Sequence, residues 1–169
     1  MSFVPILRTE RLLLREPHLE DWPDFAEVLM SDRARFMGGP FSLSGAWGVF
    51  CHGIALWRIY GLGNLSMELR DTGQYVGQIE NNQGPRFPEP ELGWQLNAGA
   101  EGKGYAFEAA TALRDWVFNE GMAETLVSYI DPANARSIRL AERLGAVRDD
   151  QAPKQDPEDL VYRHGVVRG

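Results

Sequence analysis

The sequence predicts an α+β domain in which helices flank a twisted, mixed and mostly antiparallel sheet of about six or seven strands. Three observations support this fold class. Segments with strand periodicity follow one another in the middle of the chain, a glycine-containing turn joins two of them, and a long amphipathic helix separates two later strands. Grouped hairpins favour antiparallel pairing, whereas a helical connection favours a right-handed crossover between parallel strands.

The first part of the chain is predicted to contain one strand and two helices. Leu12 and Leu14 alternate with their neighbours in the pattern of a half-buried strand. Apolar residues then recur at helical spacing in two segments, and Ser42 precedes the second as a candidate cap. The predictions are a strand over 9–16, helices over 21–30 and 45–60, and a flexible loop over 37–40.

The second part of the chain is predicted to contain most of the sheet. A turn over 71–73 joins two alternating segments into a hairpin, and a proline-rich loop over 84–90 leads into the fourth strand. Apolar residues from Ala106 to Val117 predict an amphipathic helix that ends near Gly121. The predictions are strands over 64–70, 74–80, 91–97, 124–130 and 160–167, and helices over 103–119 and 134–144.

The length and composition of the chain predict one domain over residues 1–169, located in the cytoplasm. A chain of 169 residues is long enough to bury a core. The longest mainly apolar stretch, 47–62, contains Arg58 and is too short to cross a bilayer, and the first residues lack the pattern of a secretory signal. The single cysteine, Cys51, cannot form an internal disulfide, which indicates a reducing compartment.

Charge and motif content exclude several classes of function. The formal net charge of -7 argues against nucleic-acid binding, which needs clustered Lys and Arg, but suits a cationic substrate such as an amine. His18, His52 and His164 lack the spacing of metal ligands, so no metal site is expected. The absence of a Gly-x-Ser-x-Gly elbow disfavours a hydrolase.

The turn over 101–106 has the properties of a phosphate site. Gly102 and Gly104 flank Lys103 between a predicted strand and a predicted helix. Glycine allows the backbone to approach a ligand, and the N–H groups at a helix start attract an anion. A tight strand-to-helix turn explains the same residues equally well. Phe107 stands where a dinucleotide motif needs its third glycine, and no Walker spacing exists, although a nucleotide-binding protein with this turn remains an alternative.

Two blocks of the sequence resemble the acetyl-CoA motifs of the GNAT superfamily. They are 91–96 together with 101–109, and the Asp-Pro-x-Asn-x-x-Ser block at 130–145. The second block and the opening segment 7–15 are similar to the ribosomal-protein N-terminal acetyltransferases. The resemblance spans nearly the whole chain. It implies a GNAT fold with a sheet splayed between the fourth and fifth strands, and acetyl-CoA as co-substrate without a metal.

The resemblance also implies which residues hold the coenzyme. The pantetheine arm would lie between the splayed strands, where Leu96 would donate an N–H to the thioester carbonyl and Asn134 would contact the arm. The superfamily often has Arg or Gln three residues before the first glycine of the turn. Here that residue is Gly99, so the pyrophosphate would depend on backbone donors and Lys103. The implied coenzyme-binding residues are Leu96, Gly102, Lys103, Gly104, Tyr105, Ala106, Asn134 and Ser137.

Three residues are candidates for the chemistry. The position of Glu91 on the fourth strand resembles that of the general base of several GNAT enzymes. A carboxylate in a partly dry cleft can accept the amine proton; the alternative for Glu91 is a surface glutamate. Glu80 either faces the same cleft or is a solvated strand residue. Ser137 either completes the cap that Asn134 begins or, as the resemblance implies, protonates the departing thiolate. No tyrosine occurs over 148–159 to do so, and a substrate-assisted reaction remains open.

The sequence therefore predicts an acetyl-CoA-dependent N-acetyltransferase that acts on a primary amine. The acceptor would be a peptide or protein N-terminus or a small amine, and Phe41 and Trp47 could line its site. The alternative is a non-catalytic acyl-CoA-binding regulatory module. Exposed edge strands would allow a homodimer.

Overall fold

The structure, a computed structural model, describes residues 4–165. One eight-stranded sheet has the order β1-β2-β3-β4-β5-β6-β8-β7; β5 and β6 pair in parallel, and the other neighbours pair antiparallel. The strands are β1 (Leu7–Arg8), β2 (Leu12–Arg15), β3 (Leu65–Leu69), β4 (Tyr75–Asn82), β5 (Glu91–Leu96), β6 (Leu126–Ile130), β7 (Val147–Arg148) and β8 (Leu160–His164). The helices are α1 (Trp22–Leu29), α2 (Leu43–Tyr60), α3 (Tyr105–Asn119) and α4 (Ala135–Arg143).

The α+β class is confirmed, but the predicted number of strands is wrong. The sheet has eight strands because two two-residue strands, β1 and β7, pair at its edges and are too short to show periodicity. The predicted first strand begins only at Leu12. The Thr9 N–H donates to the Leu12 carbonyl and the Leu12 N–H donates to the Thr9 Oγ1 atom, which turns the chain back. The fourth and fifth predicted strands are β5 and β6 of the structure, so the splay is expected between these two strands. The last two residues of the predicted final strand, 166 and 167, lie outside the described residues.

The helix ends follow from local capping. The Ser42 side chain accepts a hydrogen bond from the Gly45 N–H at the start of α2. The Asn134 side chain accepts one from the Ser137 N–H at the start of α4, which confirms the predicted cap. A 3-10 helix over Asp32–Met37, which the sequence pattern did not reveal, lies between α1 and α2 and ends at Gly38, where φ is 86°.

The core fixes the β5–α3–β6 crossover. Ala109, Leu113 and Val117 on α3 are fully buried and pack in one cluster with Ile79 on β4 and Leu92 on β5. Burial of apolar area of this kind is the main favourable term in folding. The crossover places the start of α3 beside the end of β5, close to the start of α4.

The junction of β5 and β6 is open over most of its length. The two strands pair at one register position, Glu91 opposite Val127. Next to it, the Ser128 hydroxyl donates to the Leu92 carbonyl at 2.6 Å. The Asn97 N–H donates to a carbonyl of β4. In an antiparallel pair, the backbone groups of successive residues point alternately toward the partner strand and away from it. Those of the preceding residue, Leu96, therefore point toward β6. At this junction the Leu96 carbonyl accepts a hydrogen bond from the Arg33 side chain, and the Leu96 N–H points toward β6.

Within residues 4–165, no helix combines the length and the apolar character that a transmembrane segment requires.

Candidate active site

Two clefts lie along β5, one lined by residues from Glu91 to Trp94 and the other by residues from Trp94 to Leu96. The carboxylate cleft has a volume of about 1120 Å³ and contains Glu80 and Glu91. The turn cleft has a volume of about 600 Å³ and contains Gly102 and Gly104. Among the described residues, six line both clefts, so the two spaces meet. These shared residues are Arg35, Phe36, Met37, Trp94, Asn134 and Ser137.

Glu80 and Glu91 lie close together because of the register between β4 and β5. Glu80 is opposite Gly93, and Glu91 is opposite Asn82, so these positions share one face of the sheet. Gly93 leaves room for the carboxyl group of Glu80, since a Cβ at this position would lie 3.2 Å from its Oε2 atom. Of the alternatives that the sequence left open, this arrangement agrees with the one in which both glutamates face the same cleft.

Asn82 joins the two carboxyl groups. Its Nδ2 atom donates to Oε2 of Glu91 at 2.9 Å and to Oε2 of Glu80 at 3.2 Å. Asn82 was not among the predicted site residues, because the predicted strand ends at Glu80. β4 extends to Asn82 and places it on the same face as Glu80. The amide thus holds two carboxyl groups in one cluster, which we call the carboxyl pair.

The carboxyl pair has raised pKa values. Burial raises the pKa of Glu80 to about 7, against the effect of the Asn82 hydrogen bond. Burial also raises the pKa of Glu91 to about 7; the Asn82 hydrogen bond lowers it, and the charge of Glu80 raises it further. A carboxylate with a pKa near neutrality is well suited to accept a proton at physiological pH.

The turn at Gly102 and Gly104 adopts the backbone conformation that glycine favours. The φ angles are 74° at Gly102 and 83° at Gly104, and α3 begins at Tyr105 directly after them. Arg11 braces the turn from behind, because it donates to the Lys103 carbonyl at 2.8 Å and forms an ion pair with Glu108. The first N–H groups of α3 are thereby held at the turn cleft.

The predicted coenzyme-binding residues lie in the turn cleft, with the exception of Lys103. Gly102, Gly104, Tyr105 and Ala106 line the turn cleft together with Leu96, Asn134 and Ser137. Lys103 is exposed, and it is not among the residues that line this cleft.

Arginines that the sequence analysis missed contribute positive charge to the turn cleft. The carboxylate of Glu101 also lines this cleft. Three of the arginines recur on successive turns of α4, a helical spacing that is visible in the sequence. The other two follow α1 and are distant in sequence. The arginines are Arg33, Arg35, Arg136, Arg139 and Arg143.

Ser137 lies where the two clefts meet. The Trp94 indole Nε1 donates to the Ser137 Oγ atom at 3.1 Å. Because Oγ is the acceptor in this bond, the hydroxyl proton remains available for another group. The Asn134 cap uses the backbone N–H of Ser137 rather than its hydroxyl. The capping role and an acid role are therefore compatible.

The two aromatic candidates for an acceptor site differ in position. Phe41 lines the carboxylate cleft. Trp47 instead packs against Trp22 and Phe50, with ring centroids 4.9 Å and 5.8 Å away, and is not among the residues lining that cleft.

Comparison with known proteins identifies the family. The acetyltransferase (GNAT) domain family matches residues 11–147. The chain belongs to the GNAT family. An acetyltransferase from Agrobacterium tumefaciens has a similar structure, with a TM-score of 0.94 and 51% identity over 96% of this chain and 95% of that one. The GNAT assignment classes the chain as an acetyltransferase and agrees with the α+β fold described above.

Two further relatives match this chain at lower sequence identity. The uncharacterized protein YkkB of Bacillus subtilis is 38% identical over 61% of this GNAT chain, and the alignment spans 61% of YkkB's own length. A putative ribosomal-protein-serine acetyltransferase from Vibrio cholerae shares the fold, with a TM-score of 0.71 and 22% identity over 95% of this chain and 96% of that one.

Proposed function

We propose that the protein is an acetyl-CoA-dependent N-acetyltransferase that acts on a primary amine. The proposal depends mainly on one observation: a carboxyl pair with raised pKa values and a glycine turn rich in anion-binding groups lie in clefts that meet at Ser137. The turn cleft would bind the donor and the carboxylate cleft the acceptor.

The residues of the turn cleft fit a diphosphate-bearing donor. Acetyl-CoA supplies an acetyl group that is activated as a thioester. The N–H groups at the start of α3 and the arginines of the cleft would bind its phosphates. Leu96 turns its backbone toward β6, and its N–H would stabilise the oxyanion that forms on the acyl carbon.

The carboxyl pair would activate the acceptor. Glu91 would accept the proton that the amine loses as its nitrogen bonds to the acyl carbon. Glu80 would act through its charge, because it raises the pKa of Glu91. The carbon–sulfur bond then breaks, and the Ser137 hydroxyl passes a proton to the sulfur while it takes one from solvent. Glu91 releases the amine proton to solvent, which restores both groups.

We expect the Ser137→Ala variant to lose about tenfold in kcat, while its affinity for acetyl-CoA stays nearly the same. The loss stays below the range typical of general acid catalysis because a thiolate is itself a good leaving group. The α4 cap should survive, since it uses the Ser137 backbone. Steady-state kinetics and calorimetry measure the two quantities. An unchanged kcat would exclude Ser137 as the proton donor.

We expect the activity of the wild type to rise with pH through about 7, because Glu91 must be deprotonated to act. Glu80→Gln removes a like charge and should move this rise to lower pH. Asn82→Leu removes a hydrogen bond that lowers the pKa of Glu91, and should move it to higher pH. Profiles of kcat/KM against pH measure both shifts, and shifts in the same direction would contradict the electrostatic account.

The acceptor is proposed to be an N-terminal amine of a peptide or protein. The resemblance of the 130–145 block to the ribosomal-protein acetyltransferases and the size of the carboxylate cleft, about 1120 Å³, support this choice over a small amine. Release of free thiol from acetyl-CoA should be measured with N-terminal peptides, polyamines and aminoglycosides. Acceleration by peptides alone supports the proposal. Binding of acetyl-CoA without acceleration by any amine would instead indicate a non-catalytic module.

A further inference from the structure

The 3-10 helix over Asp32–Met37 forms the wall between the two clefts, and we call it the partition segment. Arg35, Phe36 and Met37 line both clefts. A change in the position of this segment would therefore alter the acceptor space and the donor space together.

Arg33 joins the partition segment to the donor side. Its Nη2 atom donates to the Leu96 carbonyl at the end of β5 and to Oε1 of Glu101 in the turn, each at 2.9 Å. Leu96 is 63 positions away in sequence. These two bonds tie the partition segment to the end of β5 and to the glycine turn, which both line the turn cleft.

Arg33 also keeps an unused donor. Its Nε atom is buried and has no hydrogen-bond partner among the described residues. A buried donor without a partner is costly, and a ligand oxygen can satisfy it. Arg33 lines the turn cleft, so a shift of its side chain when a ligand fills that cleft would bring the Nε atom to a ligand oxygen.

Glu101 shares its carboxylate between two arginines. Oε1 accepts from Arg33, and Oε2 accepts from Arg136 at 2.7 Å. The two arginines lower the pKa of Glu101, although burial opposes them. A ligand that brings negative charge into this cleft would add a further acceptor for the same guanidinium groups, so the hydrogen bonding of Arg33 would respond to donor binding.

We propose that Arg33 is a positioning residue that orders the acceptor wall when the donor cleft is filled. The inference rests on the proposed function, since it takes acetyl-CoA as the anionic donor. Arg33 binds the partition segment to β5 and the turn, and the donor completes its hydrogen bonds. The wall lined by Phe36 and Met37 then becomes fixed before the amine arrives.

Arg136 offers a matched control. It pairs with the same carboxylate as Arg33 and carries the same charge, but it lies on α4 with 71% of its side chain exposed. Its hydrogen bond does not involve the partition segment. Arg33→Ala and Arg136→Ala therefore remove equal charge from the cleft, and only the first removes the connection to the wall.

Hydrogen exchange of the amides over 32–41, with and without saturating acetyl-CoA, tests the proposal without an acceptor. We expect acetyl-CoA to slow this exchange by roughly fivefold or more in the wild type and in Arg136→Ala, a modest coupling between two sites. Arg33→Ala should lose that protection although acetyl-CoA still saturates it by calorimetry. Arg33→Lys, which keeps the charge and can still donate, should recover part of it and serves if the alanine variant unfolds.

The outcomes separate the two proposals. Full protection in saturated Arg33→Ala overturns the positioning role of Arg33. So does calorimetric binding of acetyl-CoA to the wild type without slower exchange over 32–41, and that result leaves the proposed function intact. Failure of acetyl-CoA to bind the wild type at all overturns the coupling and the proposed function together.

Discussion

The Glu91→Gln variant is expected to lose about 10²- to 10⁴-fold in kcat/KM, the range that general base catalysis contributes. Glutamine keeps the size of the side chain and an oxygen that can accept the hydrogen bond from Asn82, so the fold and the cleft should be preserved. What disappears is the carboxylate that takes the amine proton. The activity that remains should no longer rise with pH near 7, because the group whose pKa is about 7 at this position is gone.

Glu89→Gln is the matched control for Glu91→Gln. Glu89 lies two residues earlier, and its carboxylate pairs with Arg163 at 2.8 Å rather than lining the carboxylate cleft. That ion pair lowers the pKa of Glu89. The control should therefore reduce the melting temperature and leave the pH profile in place. If Glu91→Gln retains the kcat/KM and pH profile of this control, Glu91 is not the base.

The parts of the fold that could be predicted from the sequence are those set by neighbouring residues. The glycine turn, the amphipathic pattern of α3 and the Asn134 cap each lie within a few positions, and the structure has all three. The two-residue strands β1 and β7 could not be predicted, because their pairing with neighbouring strands defines them and they are too short to show periodicity.

The candidate site shows the same division. Glu80 and Glu91 could be named from strand position and resemblance, but the register that puts Asn82 opposite Glu91 depends on the length of the loop between β4 and β5. The contact of Arg33 with Leu96 depends on how α1 packs, which no local pattern encodes. Gly99 suggested a phosphate site poor in side-chain charge, whereas arginines from two other parts of the chain line the turn cleft.

The double variant Gly102→Ala/Gly104→Ala is expected to weaken acetyl-CoA binding by roughly 10²-fold. Each glycine has φ near the left-handed region, 74° and 83°, where a residue with a Cβ is disfavoured by roughly 1–2 kcal/mol. A Cβ at Gly104 would also lie 3.3 Å from the Arg11 side chain that braces the turn. The turn can relieve this strain by rotating its backbone, which turns the N–H groups away from the phosphates. Calorimetric titration with acetyl-CoA measures the loss.

A second double variant, Gly73→Ala/Gly121→Ala, separates this effect from general backbone strain. These glycines have φ angles of 72° and 64°, and an added Cβ would meet nothing within 4 Å. Gly73 lies in the β3–β4 hairpin and Gly121 follows the far end of α3, so neither lines the turn cleft. The strain should appear as a lower free energy of unfolding while the Kd for acetyl-CoA stays unchanged. Equal weakening of binding by both pairs would mean that the glycine turn has no specific role in holding the donor.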